Sequence, residues 1–385
     1  MTVALVGPLE LENVTMPPIT GSSNLLASTR CSLLLANVRL AQKRQARILS
    51  GSTNLSFPRH SDHNTANGCA FMANEEHLRA APVWKADWIV TAGLAESLIE
   101  TSFPSLKPAS IRQFAAGWDN TVFLVNDSFI FRFPRRRIAV CLMETEVRLL
   151  PWLASQLPLP IPNPCYVGAS SSDYPCVFAG YRQISGQTIT AANVSDDERR
   201  GMARRLARFL AALHAISPDE ARMRGAGPDP ISRLYATRHK PTAIDRLDSV
   251  PESVIPRSLK ARLRYLLDAL PTIKEPSSGT LVHGDLHGSQ LLVSEDAHEL
   301  AGVIDWGDVH LGDPASDFAV VHSMLPRDCH RDFLEVYGPV EPISWAAAKA
   351  RAIWHTIAVV IQAVDVGDAA TIREAQSCFK RLAED

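Results

Sequence analysis

One stretch of the chain, residues 283–317, limits most strongly what the protein can fold into. It contains two carboxylates, Asp285 and Asp305, and each follows an apolar, strand-like run at the point where that run meets a turn. Between them lies QLLVS (290–294), which is typical of another strand and is followed by the polar turn EDAH (295–298). The pattern predicts a hairpin that brings both acids to one rim.

Paired acids at one rim suit a particular chemistry. Phosphoryl transfer from ATP needs one carboxylate to orient the attacking hydroxyl and accept its proton, and another to hold Mg²⁺ against the phosphates. The stretch also resembles the catalytic segment of the aminoglycoside phosphotransferase family, because the blocks HGDLH, VIDWGD and GDPASD occur in order at family-like spacing. The resemblance is strong over residues 283–317 and weaker over the rest of the chain from about Trp84 onward.

The resemblance implies a fold, cofactors and a partner. The family shares an α+β, bilobed protein-kinase-like fold, with a small antiparallel-sheet N-lobe and a larger, mainly helical C-lobe. Its members use ATP and Mg²⁺ to phosphorylate a hydroxyl of a small molecule, such as an aminoglycoside, a macrolide, choline or homoserine. The chain is therefore expected to be an ATP-dependent phosphotransferase with a small-molecule acceptor, whose identity the sequence leaves open.

The same resemblance assigns roles within the catalytic segment. Asp285 is the catalytic base, Asp305 is a magnesium ligand, and Gln290 stands where the family usually places asparagine as a second metal ligand. Glutamine is one methylene longer, and Mg²⁺ requires near-octahedral geometry at about 2.0–2.1 Å. Whether Gln290 binds the ion directly, poorly or through water stays open. The residues expected to support the catalytic loop are His283, Asp313 and Asp317.

Residues 111–134 alternate as two successive hairpins would. In a kinase-like small lobe such a unit covers the nucleotide phosphates with backbone N–H groups, and Gly117 and Asn120 are the candidates for that cover. A single glycine is far from the GxGxxG of protein kinases. An ordinary turn at Gly117 is the alternative interpretation.

Arg132 occupies the strand position where kinases place the lysine that pairs with the α- and β-phosphates. Arginine stays cationic and offers a bidentate fork to phosphate oxygens. Its expected partner is Glu146 on the following helix, with Glu144 as the other candidate. The alternative is that Arg132 belongs to a solvated edge and that Glu146 is a surface acid.

The break at Ser185 and Gly186 predicts a boundary between an N-lobe of residues 72–184 and a C-lobe of residues 185–385. Backbone groups around Gln183 are expected to hydrogen-bond the adenine ring. In the C-lobe, apolar spacing predicts helices at 196–214 and 259–270. The proline-rich residues 217–257 between them are expected to be a broken, polar insertion that cradles the acceptor.

The C-terminal stretch, residues 345–382, is predicted to contain two helices separated by residues 365–368. Asp365, Asp368 and Glu374 are expected to be exposed acids. A cationic amino-sugar would bind such acids, but acids at helix ends are commonly only solvated.

Residues 1–71 differ from the rest in being rich in Ser, Thr, Asn and Leu. Their basic segment, 32–49, partly fits a transit peptide, although Glu10 and Glu12 precede it. From Met72 onward the sequence resembles the usual opening of a kinase of this family. Residues 1–71 are therefore expected to be a disordered extension or the product of too early a start codon.

Charge and cysteine usage exclude several classes of protein. A formal net charge of −2 provides no overall cationic field for nucleic acid or an anionic membrane surface. No apolar run reaches the ~18 residues of a membrane span. The seven cysteines are scattered, without a Cys-x-x-Cys pair, which predicts neither a disulfide framework nor a zinc site and favours a cytoplasmic location. Nothing in the composition indicates an oligomeric state.

Two other functions fit parts of the sequence. A nucleotide-binding module without turnover would explain the glutamine at position 290 and the glycine-poor phosphate loop. A metallohydrolase would use His283, Asp285 and His287 as metal ligands, but histidine metal sites usually combine three or four ligands at defined spacing, and a loop-orienting role explains both histidines.

Overall fold

The computed structural model describes residues 86–117, 119–271, 273, 279–296 and 299–384. The predicted extension at 1–71 lies outside the described residues, as does the start of the expected N-lobe at 72–85. Within those ranges, no helix has both the length and the apolar character needed to cross a membrane.

A five-stranded antiparallel sheet forms the smaller part of the fold, with the strand order β1-β2-β3-β5-β4. Its strands are β1 (Ile111–Ala116), β2 (Asn120–Val125), β3 (Phe129–Pro134), β4 (Pro164–Gly168) and β5 (Phe178–Arg182). The turn between β2 and β3 runs through Asn126 and Asp127, whose φ angles of 50° and 49° are those of a type I′ turn. The alternation predicted for residues 111–134 is confirmed.

Aromatic side chains build the core of this sheet. Phe131, Phe133 and Phe178 are completely buried, and the rings of Phe133 and Phe178 stack with their centroids 4.6 Å apart. Because side chains alternate along a strand, Arg132 points to the face opposite Phe131 and Phe133. The core thus fixes the direction of that arginine. Two helices accompany the sheet: α1 (Ala92–Ser102), capped by the side chain of Thr91, and α2 (Arg137–Leu153).

Two small antiparallel sheets carry the catalytic segment in the larger part. Their strands are β6 (Gln187–Thr188), β7 (Thr280–Val282), β8 (Leu291–Val293), β9 (Leu300–Val303) and β10 (His310–Gly312). The predicted hairpin is confirmed in β8 and β9, where Leu291 pairs with Val303. Strand β7 lies outside that hairpin and pairs with β10.

Helices make up most of the larger part. They are α3 (Ile189–Ala192), α4 (Asp196–His214), α5 (Pro218–Met223), α6 (Ala236–Ser249), α7 (Arg257–Ala269), α8 (Ala315–Met324), α9 (His330–Tyr337), α10 (Pro342–Val366) and α11 (Ala369–Ala383). Every residue of α8 is buried, and α10 and α11 both pack against it. The helices predicted at 196–214 and 259–270 and in the C-terminal stretch are confirmed.

Two expectations for the C-lobe are wrong. Residues 217–257 are not broken throughout, because the helices α5 and α6 lie within them. Pro218 stands in the first turn of α5, where its missing N–H costs nothing. Helix α6 continues through Pro241, with Leu247 buried in the core that α6 shares with α7. Glu374 is not an exposed acid either: only 11% of its side chain is exposed, and it accepts two hydrogen bonds, of 3.0 and 2.6 Å, from Arg199.

Candidate active site

The catalytic loop connects β7 to β8 and is held by a buried carboxylate from α8. Asp317, which is completely buried, accepts hydrogen bonds of 2.8 Å from the backbone N–H groups of both His283 and Gly284. His214 of α4 contacts the same carboxylate at 3.2 Å. These donors offset the burial of Asp317 and hold its pKa below the usual range. Asp317 therefore stands where a structural support of the loop is expected.

A glycine and a histidine shape the same loop. Gly284 has a φ of +85°, and a Cβ at this position would lie 2.5 Å from the carbonyl oxygen of Asp308. The imidazole of His283 is buried, with Nε2 3.1 Å from the carbonyl oxygen of Ile304 and Nδ1 accepting from the Asp285 N–H at 3.4 Å. Asp313 caps α8 by accepting from the N–H of Ala315. The three predicted supports thus all contact the loop or the helix that anchors it.

Asp285 follows this glycine, and 30% of its side chain is exposed. Its Oδ1 lies 2.9 Å from Nε2 of His355 and 3.7 Å from the guanidinium of Arg351, both on α10. Its Oδ2 lies 4.0 Å from Nε2 of His287, which is beyond hydrogen-bonding distance. We call Asp285, Arg351 and His355 the Asp285 cluster. Its carboxylate is surrounded by donors on one side and left open toward His287 on the other.

Asp305 follows β9 and adopts a left-handed backbone conformation, with φ +64°. Its side chain is 54% exposed and accepts a hydrogen bond of 2.7 Å from Arg132. The other terminal nitrogen of Arg132 donates to Glu146 at 2.7 Å, and Glu146 is only 1% exposed. We call Arg132, Glu146 and Asp305 the Arg132 cluster. The structure thus joins Arg132 to Glu146, as the sequence predicts, and leaves Glu144 out of the pair.

Burial and charge act differently on the two ends of this pair. Burial raises the pKa of Glu146 to about 7, although Arg132 and a 3.4 Å contact with the Tyr181 hydroxyl oppose that rise. Burial alone would lower the pKa of Arg132, but the carboxylates of Glu146 and Asp305 raise it. The arginine is therefore a permanent cation, whereas its buried partner gains or loses a proton near neutral pH.

Asp285 and Asp305 both lie near His287. Burial lowers the pKa of His287 to about 4 and His355 adds to that lowering, whereas the carboxylates of Asp285 and Asp305 oppose it. Both acids are thus close enough to act on one side chain, and their convergence at one rim stays a prediction.

Gln290 lies beside Asp305 across the hairpin, because its carbonyl oxygen accepts a 2.9 Å hydrogen bond from the N–H of Ile304. Its side chain is buried, and its amide oxygen Oε1 has no hydrogen-bond partner among the described residues. A buried oxygen without a donor is costly unless something else binds it. An amide oxygen and a carboxylate are ligands of the type that Mg²⁺ prefers. The residues present therefore fit the ion.

The remaining nucleotide-binding candidates lie along the small sheet. The N–H of Gly117 donates to the carbonyl oxygen of Asn120 at 3.0 Å, which closes the turn between β1 and β2. Asn120 is buried, and its Oδ1 has no partner in the part of the chain that the structure describes. The N–H of Gln183 donates to the carbonyl oxygen of Ser128 and extends the sheet. An adenine contact from Gln183 would therefore have to use its carbonyl oxygen.

Sequence reasoning missed the two residues of α10 that contact Asp285. Arg351 and His355 are one helical turn apart, so both lie on the same face of α10. Nothing in the sequence near them resembles a motif, and they follow Asp285 by 66 and 70 positions. Asp308 pairs with the buried Arg233, and burial raises its pKa to about 6 despite that cation.

The histidine arrangement differs from the metal set considered from sequence. His283 faces backbone groups, whereas His287, His355 and Asp285 offer ligand atoms within 4.8 Å of one another. The contact between Asp285 and His355 accounts for these side chains without a metal.

The chain was compared with known proteins. Residues 110–350 match the model of the phosphotransferase enzyme family. Viomycin phosphotransferase of Streptomyces vinaceus is 28% identical over 159 residues, which cover 40% of this chain and 52% of the relative. The uncharacterized protein YcbJ of Bacillus subtilis (strain 168) is 30% identical over 71 residues, 18% of this chain and 23% of the relative. The match thus spans about half of the first relative and less than a quarter of the second.

Solved structures show the same fold. The GDP complex of wild-type aminoglycoside 2'-phosphotransferase-IIIa superposes with a TM-score of 0.57 at 22% identity, covering 76% of this chain and 99% of that one. The GDP and kanamycin complex of APH(2")-IIIa gives 0.55 at 22% identity, covering 74% and 97%. The bilobed, kinase-like α+β fold and the resemblance stated from the sequence are both confirmed. With the family model matching residues 110–350, this chain belongs to the phosphotransferase enzyme family.

Proposed function

We propose that the protein is an ATP-dependent phosphotransferase that transfers the γ-phosphate to a hydroxyl of a small molecule. The observation that carries the proposal is that Asp285 and Asp305 both lie near one side chain, His287, with Arg132 reaching Asp305 from the small sheet. The acceptor is an antibiotic such as an aminoglycoside or macrolide, or a small metabolite. A cytoplasmic location belongs to the same proposal.

The carboxylate of Asp285 orients the acceptor hydroxyl and takes its proton. The hydroxyl oxygen forms a bond to the γ-phosphorus, the bond between that phosphorus and the nucleoside diphosphate breaks, and the hydroxyl proton passes to Asp285. Because phosphoryl transfer proceeds through a loose transition state, orientation of the hydroxyl matters more than the strength of the base. Oδ2, which lies 4.0 Å from His287, is the oxygen available for this task.

The other residues bind and neutralise phosphate charge. Arg132 offers its guanidinium to the α- and β-phosphates, and Glu146 fixes the direction of that side chain. Asp305 and Gln290 would hold Mg²⁺, which neutralises charge that develops on the phosphates. Gly117 and Asn120 are proposed to cover the phosphates, and the backbone at Gln183 to contact the base. His283, Asp313 and Asp317 keep the catalytic loop in shape.

Relatives support both the reaction and the choice of test substrates. Viomycin phosphotransferase carries its activity in its name, and the two solved structures are GDP complexes of aminoglycoside phosphotransferases. A guanine nucleotide is therefore a reasonable second donor beside ATP. The proposed lobes, residues 72–184 and 185–385, would bind nucleotide and acceptor respectively.

The test is a transfer assay with purified protein. γ-Labelled ATP and GTP are supplied with Mg²⁺ and a panel of amino-sugars, macrolides, viomycin, choline and amino alcohols, and phosphorylated product is identified by mass spectrometry. We expect labelled product with at least one acceptor and none with Asp285→Asn, which should still bind nucleotide. Tight nucleotide binding without transfer to any acceptor would instead support a nucleotide-binding module.

The metallohydrolase alternative has its own readout. It requires a bound transition metal at Asp285, His287 and His355, so elemental analysis of the purified protein separates it from the kinase. A stoichiometric transition metal, together with activity lost on chelation and restored by that metal, would favour the hydrolase.

A further inference from the structure

The geometry points to His355 as a positioning residue for Asp285, whose Oδ1 it fixes so that Oδ2 is presented to the acceptor hydroxyl. The inference rests on the proposed function, since it takes Asp285 to be the group that orients that hydroxyl. His355 lies on α10, beyond the end of the family match at residue 350. Neither the motif nor the comparisons assign it a role.

The first step of the argument is the contact itself. Nε2 of His355 lies 2.9 Å from Oδ1 of Asp285, and 16% of the His355 side chain is exposed. A carboxylate that accepts a hydrogen bond on one oxygen cannot rotate freely about its Cβ–Cγ bond. The second oxygen is then held in one direction, which is the requirement for a near-attack arrangement of the acceptor.

The second step is the anchoring of α10. Arg351, one turn before His355, is buried and contacts the carbonyl oxygen of Gly284 at 3.3 Å. Trp354, next to His355, is also buried and stacks on His239 with the ring centroids 5.7 Å apart. The helix face that bears His355 is therefore locked against the catalytic loop by its neighbours, and the imidazole is presented from a rigid element.

The third step is charge. Burial would raise the pKa of Asp285, but His355, followed by His287 and Arg351, lowers it well below the usual value. Other groups also lie near Asp285. One of them accepts a hydrogen bond from its backbone N–H, and the rest interact electrostatically with its carboxylate. These are His283 of the catalytic loop, Arg233 from the segment before α6, and the acids Asp308 and Asp119. His355 thus favours the ionised form of Asp285 as well as contacting its carboxylate.

Two variants of His355 separate orientation from bulk packing. His355→Leu keeps roughly the volume of the side chain and removes the donor, whereas His355→Gln keeps a side-chain N–H donor as part of an amide. The matched control is His330→Leu, which removes a part-buried histidine on α9 that contacts the carbonyl oxygens of Val321 and Leu325 and the rings of His322 on α8 and Trp345 on α10. Each is assayed for kcat, KM for nucleotide and the pH profile of kcat/KM.

We expect His355→Leu to lower kcat by about tenfold to hundredfold, a part of what general-base catalysis contributes. The KM for nucleotide should stay near that of the wild-type protein. The acid limb of the profile should move to higher pH in the order wild type, His355→Gln, His355→Leu, and His355→Gln should recover most of kcat. His330→Leu should move neither kcat nor the acid limb.

A measurement without turnover keeps this test separate from that of the proposed function. Infrared spectra of protein labelled at the aspartate carboxyl carbons, with the Asp285→Asn spectrum subtracted, follow the ionisation of Asp285 directly. We expect its titration to shift to higher pH in His355→Leu even if no acceptor is phosphorylated. An unshifted titration, or a loss of kcat that His355→Gln does not restore, would overturn the inference.

Discussion

The Arg132 cluster and the Asp285 cluster lie beside the same hairpin but have groups of opposite charge at their centres, a guanidinium in the first and a carboxylate in the second. In the first, one guanidinium lies between two carboxylates, Glu146 and Asp305, at 2.7 Å from each. In the second, one carboxylate lies beside an imidazole and a guanidinium, at 2.9 and 3.7 Å. Each central group is thus contacted by two polar partners at once. In the proposed reaction, the cation of the first cluster would bind the anionic nucleotide and the carboxylate of the second would orient the hydroxyl.

The clusters also differ in where their partners come from. Arg132, Glu146 and Asp305 all lie within the family-matched residues 110–350, whereas Arg351 and His355 come from the part of α10 beyond that range. The Arg132 cluster thus lies wholly inside the matched range. The two partners of Asp285 lie just after its end.

The largest expected effect concerns the centre of the Asp285 cluster. Asp285→Asn keeps the size of the side chain but removes the proton acceptor, so kcat should fall by about 10²–10⁴. Nucleotide affinity, measured by calorimetry, should not change. If Asp285→Asn retains more than a tenth of the wild-type kcat, Asp285 is not the catalytic base, and the proposed difference in role between the two clusters is wrong.

The next effect concerns the centre of the Arg132 cluster. Arg132→Met keeps the length of the side chain but removes the cation, and kcat/KM for nucleotide should fall by about 10²–10³. Arg132→Lys should recover part of the loss, because an ammonium group binds phosphate but lacks the fork that bridges Glu146 and Asp305. Equal rates for the lysine and methionine variants would contradict a phosphate-binding role.

The ionisation of Glu146 should make the free energy of unfolding depend on pH. Its pKa is about 7 in the folded protein and about 4.5 when unfolded. Because the folded pKa is the higher one, its contribution to stability is full below pH 4.5 and is lost as the pH rises through 7. The free energy of unfolding of Glu146→Gln relative to wild type should therefore increase between pH 5 and pH 8, by on the order of 1–3 kcal/mol.

Denaturant titrations at both pH values measure this difference. A relative stability of Glu146→Gln that falls over the same interval would show that the pair with Arg132 outweighs the cost of burial.

The smallest expected effect lies beside the clusters, at Gln290. Gln290→Leu removes the unpartnered amide oxygen, and the Mg²⁺ concentration for half-maximal rate should rise about tenfold. Gln290→Asn, which restores the residue usual in the family, should stay at or below the wild-type requirement. Titrations of rate against free Mg²⁺ at saturating nucleotide provide the measurement, and an unchanged requirement in Gln290→Leu would remove this residue from the ion site.

Much of this architecture could be predicted because it is local in sequence. The two acids of the catalytic segment are separated by one hairpin, whose register follows from its apolar pattern. Arg132 and Glu146 are 14 positions apart and are connected by one strand end and one helix. Such short-range geometry is encoded by alternation and helical spacing.

The remainder depends on packing between distant segments. His355 reaches Asp285 only because α10 packs against the buried helix α8. Glu374 is removed from solvent by Arg199, 175 positions earlier. The prolines of residues 217–257 suggested broken structure, whereas Pro218 merely begins a helix and Pro241 is tolerated within one. No local pattern predicts which distant side chain will neutralise a given charge.

The attachment of the catalytic loop to Asp317 has a consequence for its motion. The amide protons of His283 and Gly284 end on a carboxylate that has no access to water. Opening the loop alone would take both backbone donors away from that buried anion and leave it only the contact with His214. We therefore expect these two amides to exchange with deuterium only when α8 itself comes apart, and to be among the slowest-exchanging amides of the protein.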